Sequence, residues 1–251
     1  MPRNNEDDNQ INFPDLYKLK ICSSPETPYI FGVHKGMLTL YDFNNDIRNG
    51  INFDWIKQWN YHRIKNYSLK KEPFAKALGI KGNKISTIWD LTFGTGKDAI
   101  LLLHFGARVV GFERNKTVSI LIKDALRASQ KDDVLNKVLN EKLTFIAEDP
   151  SRSHNLEVFN NTPHAIYIDP MYSPKTKTAK SRKEMEIFKH IVGPDNDSVE
   201  LFNFAIKHSS RVVVKRSLHA EELVRNPDII YKGKSTRYDV YLKKIKVNKH
   251  D

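Results

Sequence analysis

The chain has 251 residues, 39% of them hydrophobic, with 41 Lys+Arg against 30 Asp+Glu and a formal net charge of +11. That is enough to bury a sizeable core in one large domain, or in a core domain with a small appendage. No apolar run approaches the roughly eighteen residues of a membrane span, the start Met-Pro-Arg-Asn-Asn lacks a signal peptide's apolar stretch, and a single cysteine, Cys22, excludes an internal disulfide or a cysteine-built zinc site. A cytoplasmic protein without a metal is expected. The positive excess favours a polyanionic partner, because Lys and Arg neutralise phosphates and release counterions.

Residues 1–15 are polar and are expected to be unstructured. Residues 16–78 read as a small N-terminal β and linker region. It has a strand at 37–43, turn signals at Asn44-Asn-Asp and Arg48-Asn-Gly50, an aromatic and basic stretch containing Trp55, Trp59, His62 and Arg63, and a helix over 72–78. His62 and Arg63 are candidate RNA contacts. From residue 79 onward the periodicity becomes regular. Strands at 85–90, 108–113, 143–147, 165–169 and 211–216 alternate with segments long enough for helices, which means a parallel sheet covered on both faces. The segment 115–139 opens with Asn115 as a helix N-cap, and Val118, Leu121, Ile122, Ala125 and Leu126 line one face. Met185, Ile187, Phe188, Ile191 and Val192 form a second amphipathic stripe, and both stripes are read as core. At the end, strands at 228–231 and 237–242, joined through Gly233-Lys-Ser, form an antiparallel pair closing the sheet.

The stretch Trp89-Asp-Leu-Thr-Phe-Gly-Thr-Gly-Lys-Asp-Ala99 runs from a strand through a turn with two glycines into a helix. Glycine lets a ligand approach the backbone, and the helix N-terminus offers unpaired N–H groups. Gly94 and Gly96 formally fit the dinucleotide fingerprint. Asp90, at the strand end, instead suits a cofactor carrying positive charge, such as the sulfonium and amino group of S-adenosylmethionine. Glu113 ends the next strand, where an acid accepts from ribose hydroxyls. Asp149, or its neighbour Glu148, follows the third strand within reach of an adenine amine; a turn-forming Asp-Pro reads equally well there.

The strand 165–168 delivers Asp169-Pro-Met-Tyr172 to the carboxyl edge of the sheet. Asp/Asn-Pro-Pro-aromatic at this place marks enzymes that methylate exocyclic amines of bases, and this is a one-residue variant. Such an amine is a poor nucleophile. The Asp169 carboxylate and a backbone carbonyl near Pro170 accept its N–H groups and stabilise the developing charge. Pro170 stiffens the turn, and Tyr172 offers a face for a flipped base. Lys175, Lys177, Lys180 and Lys183 follow directly and read as phosphate contacts, as do Lys215 and Arg216 at the next strand end.

These residues resemble the bacterial small-subunit ribosomal RNA guanine-N2 methyltransferases of the RsmJ type. The likeness runs over roughly 37–243. Its segments include His62-Arg63, Ala75-Lys-Ala-Leu-Gly-Ile-Lys-Gly82, Glu113-Arg114-Asn115, Tyr167-Ile-Asp-Pro-Met171, Val192-Gly-Pro-Asp195, Arg211-Val-Val-Val-Lys-Arg216 and Arg237-Tyr-Asp-Val-Tyr241. The resemblance implies a Rossmann-like class I methyltransferase fold. Its sheet would be mostly parallel and seven-stranded with an antiparallel C-terminal strand, beside the N-terminal β appendage. It also implies N2-methylation of one guanosine in 16S rRNA, free or in the small ribosomal subunit, with S-adenosylmethionine. Cofactor contacts carry over to Lys97, Asp98, Glu113, Arg114 and Asp169. Where the family has two serines this chain has Asp149 and Pro150, Lys97 replaces an arginine, and Phe93 replaces a small residue. Adenine-N6 methylation and a non-catalytic rRNA-binding assembly role remain alternatives, a dinucleotide oxidoreductase is a remote one, and the oligomeric state stays open between monomer and homodimer.

Overall fold

A computed structural model describes residues 12–19, 28–42, 50–82, 84–153, 157–170, 191–193 and 197–243. Order begins earlier than the polar composition implies. Asn12 caps a short helix, α1 (Phe13–Tyr17), by accepting from the Asp15 N–H, and Phe13 is buried. Phe13 in the core, Tyr17 packed beside it and the Asn12 cap together dock a segment that composition alone reads as unstructured up to residue 15.

The appendage is a hairpin of β1 (Tyr29–His34) and β2 (Met37–Asp42), paired antiparallel from Tyr29↔Asp42 to His34↔Met37. Its tip, Lys35-Gly36, has positive φ at both residues, as a two-residue hairpin turn matched to strand twist requires. Next come α2 (Trp55–Arg63), capped by the Asp54 carboxylate on the Lys57 N–H, and α3 (Pro73–Leu78), ended by Gly79 in the left-handed region. Of these two, the sequence reading placed only α3. The buried residues of α2, Trp55, Trp59 and His62, recur at helical spacing but are aromatic rather than aliphatic.

The main sheet contains β3 (Thr87–Asp90), β4 (Arg108–Phe112), β5 (Leu143–Ile146), β6 (Ala165–Ile168), β7 (Arg211–Ser217), β8 (Ile229–Lys232) and β9 (Thr236–Leu242), in the order β5-β4-β3-β6-β7-β9-β8. Pairing from β5 to β7 is parallel, and β9 runs antiparallel to both β7 and β8. The expected seven-stranded sheet with one reversed C-terminal strand is therefore present.

Helices α4 (Lys97–His104), α5 (Lys116–Ser129), α6 (Asp133–Lys142) and α7 (Ser198–His208) connect these strands. The segment expected as one helix over 115–139 is two. Asp132 accepts from the Leu135 N–H at 2.9 Å and restarts the helix as α6, because a capping aspartate competes with continuation of the preceding turn. The predicted α5 face holds, with Val118, Leu121, Ile122 and Ala125 buried. Of the second stripe, Met185, Ile187 and Phe188 lie outside the described residues, whereas Ile191 and Val192 pack on the core.

Strand alternation divides the core into two layers. Ile88, Val109, Tyr167, Val213 and Val240 face a large cluster shared with α3, α4 and α5. Trp89, Val110, Ile166, Val212 and Val214 face a smaller one shared with Phe202 and Ala205 of α7. Leu38, Leu40, Phe53 and Trp55 belong to the larger cluster, so the hairpin and α2 share the core of the sheet.

Candidate active site

The chain leaves β3 toward β4 and β5 and later returns to β6 on the other side of β3. In an open α/β sheet this switch point opens a crevice beyond the carboxyl ends of the strands. Here it is a cleft of about 290 Å³, lined by residues that follow β3, β4, β5 and β6 and by the start of α7. It brings together Asp90, Gly94, Lys97, Asp98, Glu113, Arg114, Asp149, Pro150, Asp169, Pro170 and Lys215.

The loop after β3 is built around its glycines. Gly94 and Gly96 have φ of 55° and 74°, and Gly96 is the N-cap residue of α4. A Cβ at Gly96 would lie 2.6 Å from the Trp55 ring, whose Nε1–H donates to the Thr95 carbonyl at 2.9 Å. Helix α2 thus pins the loop from behind. The sequence reading missed this role, and its one signal was a tryptophan directly after the capping Asp54. Phe93 turns into the core, its ring centroid 5.4 Å from Phe145 and 6.0 Å from Trp55.

Glu113 braces the same loop. One carboxylate oxygen accepts from the Gly94 N–H at 3.0 Å and the other from the Asn115 N–H at 2.7 Å, so the acid at the end of β4 is fixed at the cleft wall. Arg114 pairs with Asp197 at the head of α7, and Lys97 is exposed at the cleft edge. Of the two acids after β5, Asp149 lines the cleft, and its Oδ1 accepts from the Ser151 N–H and hydroxyl at 2.9 and 2.7 Å; Glu148 is exposed and bonds Ser153.

Asp90 is 1% exposed and accepts from the Thr92 N–H at 3.1 Å. Burial, and then the nearby Asp98 carboxylate, push its acid well above the ordinary aspartate range. The Thr92 hydroxyl oxygen accepts from the Asp169 N–H at 2.6 Å, tying the end of β3 to the end of β6. Asp98, in the first turn of α4, accepts from the Tyr167 hydroxyl at 2.6 Å and from Lys215 Nζ at 2.8 Å. The same ammonium lies 3.0 Å from Asp169 Oδ2. Burial works against that charge, yet Asp98 and Asp169 outweigh it and hold the Lys215 ammonium above its ordinary range.

Three expected RNA contacts do not face solvent. Lys215 is engaged between two carboxylates of the cleft. Arg216, on the opposite face of β7, is 3% exposed and donates through Nε to the Glu221 carbonyl at 2.7 Å. His62 is 4% exposed, with its ring nitrogens 2.8 Å from Gln58 Nε2 and 2.7 Å from the Tyr67 hydroxyl, and burial followed by His104 lowers its pKa. A strand-end or helical basic residue reads as a surface charge only if no partner waits inside, and sequence does not show partners. Arg63 is exposed at the end of α2. Tyr172, Lys175, Lys177, Lys180 and Lys183 lie outside the described residues.

A glycine loop opening a helix, with acids at successive strand ends and a reversed final strand, is the arrangement of a methyltransferase of the Rossmann-like type. Comparison with known proteins agrees. The family described as "Putative SAM-dependent methyltransferase" matches residues 15–243. The chain is 36% identical to ribosomal RNA small subunit methyltransferase J of Coxiella burnetii over 76% of its own length and 74% of that protein. It is 37% identical to the protein of the same name from Haemophilus influenzae, over 75% and 74%. Among solved structures, a SAM-dependent methyltransferase of Neisseria gonorrhoeae superposes with a TM-score of 0.69 at 25% identity, covering 92% of this chain and 90% of that one. The chain belongs to this S-adenosylmethionine-dependent family, together with the ribosomal RNA small subunit methyltransferase J proteins. The cleft fits that cofactor, since acids ring it and a glycine loop leaves the backbone open to approach. No helix of the described residues is long and apolar enough to cross a membrane.

Proposed function

We propose that this protein methylates the exocyclic N2 of one guanosine in 16S ribosomal RNA, as free RNA or within the small subunit, in the cytoplasm. The observation that carries the reading is the placement of Asp169-Pro170 at the carboxyl end of β6, in the same cleft as the glycine loop and only one strand from it. The names of the relatives supply the class of RNA.

The residues divide by position. Asp90, Gly94, Lys97, Asp98, Glu113, Arg114, Asp149 and Pro150 form the half of the cleft assigned to the cofactor, which when bound supplies an electrophilic methyl group on a positively charged sulfur; Gly96, packed against Trp55, shapes the turn without lining the cleft. Asp169 and the Pro170 carbonyl form the other half. A guanine amine delocalises its lone pair into the ring. Two acceptors at its N–H groups favour the pyramidal nitrogen and stabilise the positive charge that grows there as the N–C bond forms. Holding the amine in line removes much of the remaining barrier. Tyr172 is assigned to stacking on the flipped base, and Lys175, Lys177, Lys180, Lys183 and Arg63 to phosphates.

Asp169→Ala tests the assignment. Methyl transfer falls by about 10²-fold or more, while affinity for 16S rRNA, read by filter binding, is retained. Undiminished turnover would remove Asp169 from the chemistry.

A further inference from the structure

Three neighbouring strands place polar ends on one face of the sheet, just under the cleft. Tyr167 on β6, Lys215 on β7 and Tyr238 on β9 all lie on the face that α3 and α4 cover, because Val212 and Val214 take the opposite face of β7, Lys215 pairs with Tyr238 in register and Tyr238 stacks on Phe74 of α3. Lys215 Nζ is the meeting point. It lies 2.8 Å from Asp98, which belongs to the cofactor helix α4, and 3.0 Å from Asp169, which ends β6. The Tyr167 hydroxyl shares the same Asp98 oxygen at 2.6 Å. The Lys215 side chain is 22% exposed and those of Asp98 and Asp169 are 29% and 38%, so water screens these contacts only in part.

We infer that Lys215 is a positioning residue joining the two halves of the site: it keeps Asp169 ionised and directed at the acceptor amine while anchoring it to Asp98 at the head of the cofactor helix. This rests on the role given to Asp169 under the proposed function. The groups around Asp169 make the need plain. Asp98 from α4 adds negative charge, Asp90 from β3 is a buried acid whose pKa is raised by burial and then by Asp98, and Tyr167 and Tyr238 are neutral hydroxyls held above their ordinary pKa by the same two causes. Lys215 is the cation set against this acidic cluster among the described residues. Without it, like charges would favour protonation of one carboxyl, and a protonated Asp169 is a weaker acceptor for the amine than the carboxylate, because it no longer carries the negative charge. A phosphate contact is a poor alternative, since an RNA phosphate would have to displace two carboxylates already bound.

The test compares Lys215→Met and Lys215→Arg with the wild type across pH, using unmodified 16S rRNA and S-adenosylmethionine. Folding is followed by circular dichroism and binding of S-adenosylhomocysteine by calorimetry. Lys215→Met is expected to lower kcat about 100-fold and to move the acid limb of kcat upward by about one pH unit or more, with a much smaller loss of S-adenosylhomocysteine affinity. Lys215→Arg keeps the charge but replaces a compact ammonium by a planar fork, so the limb stays in place while kcat falls several-fold. A folded methionine variant with a wild-type limb overturns the inference, as does one that loses only RNA affinity. If the methionine variant does not fold, the arginine variant decides alone: a displaced limb or an undiminished kcat overturns it. A wild type that forms no methylated guanosine would instead strike the proposed function.

Discussion

A single methyl group at position 111 would disturb the glycine loop after β3 from behind. A Cβ on Gly111 would lie 2.0 Å from Phe93 Cδ2 and 2.4 Å from Cε2, and the ring cannot retreat because Trp55 and Phe145 hold it. Gly111→Ala is therefore expected to destabilise the fold by about 2 kcal/mol in chemical denaturation; an unchanged midpoint would show that Phe93 moves freely. Asp90 makes a second prediction. Its acid is raised by burial and then by Asp98, so the folded state keeps this proton to higher pH than the unfolded chain does. Stability is then lost as pH rises from the unfolded value, about 3.9, through the folded one. Asp90→Asn has no proton to lose. It should melt higher than the wild type near pH 8 and close to it near pH 3, while binding the cofactor more weakly. A lower melting temperature near pH 8 would contradict this sign. Asp90, the glycines, Glu113 and Asp169 were legible in sequence because strand ends and tight turns leave a local signature. Lys215 and Arg216 were legible only as charges. The Asp98 partner of Lys215 is 117 residues away, and no local pattern encodes such a pairing.

Among the elements, α5 ties the appendage to the domain through one buried acid. Asp124 is 2% exposed and accepts from the Tyr17 hydroxyl at 2.9 Å, the Leu38 N–H at 2.6 Å and Arg127 Nε at 2.8 Å. These donors come from α1, from β2 and from α5 itself. Arg127 also donates to the Gly36 carbonyl at 2.6 Å, at the hairpin tip. Removing the acid leaves the part-buried Arg127 without its ion-pair partner and the Leu38 N–H without its acceptor. Asp124→Ala should therefore cost about 3 kcal/mol and raise hydrogen exchange across 29–42 ahead of the sheet strands; equal protection in both regions would mean that the hairpin does not depend on this anchor. Strands of the main sheet and β2 were legible within a residue or two, because apolar runs and turn residues mark them, whereas β1 (Tyr29–His34), with no fully buried residue, was not placed. Helix α2 was not, since its buried face is made of Trp55, Trp59 and His62 rather than aliphatic residues. The break between α5 and α6 was signalled by Asp132, which the long apolar stripe obscured.

At the scale of the molecule, a basic chain folds around an acidic cleft. The net charge is +11, yet Asp90, Asp98, Glu113, Asp149, Asp169 and Asp197 converge on one crevice. The two signs suit the two ligands of the proposed reaction, an RNA polyanion on the outside and a cofactor with a cationic centre within. Composition points to the first and the strand-end acids to the second. What composition did not reveal is that several of its basic residues, Lys215, Arg216, Arg127 and Arg237, are spent on internal partners. The central claim is guanosine N2 methylation of 16S rRNA. The most direct measurement incubates the protein with labelled S-adenosylmethionine and unmodified 16S rRNA, free and in small subunits, then digests the RNA and identifies the labelled nucleoside by mass spectrometry. N2-methylguanosine that vanishes with Asp169→Ala is the predicted result. N6-methyladenosine, or no labelled nucleoside from either substrate while the cofactor still binds, would contradict it.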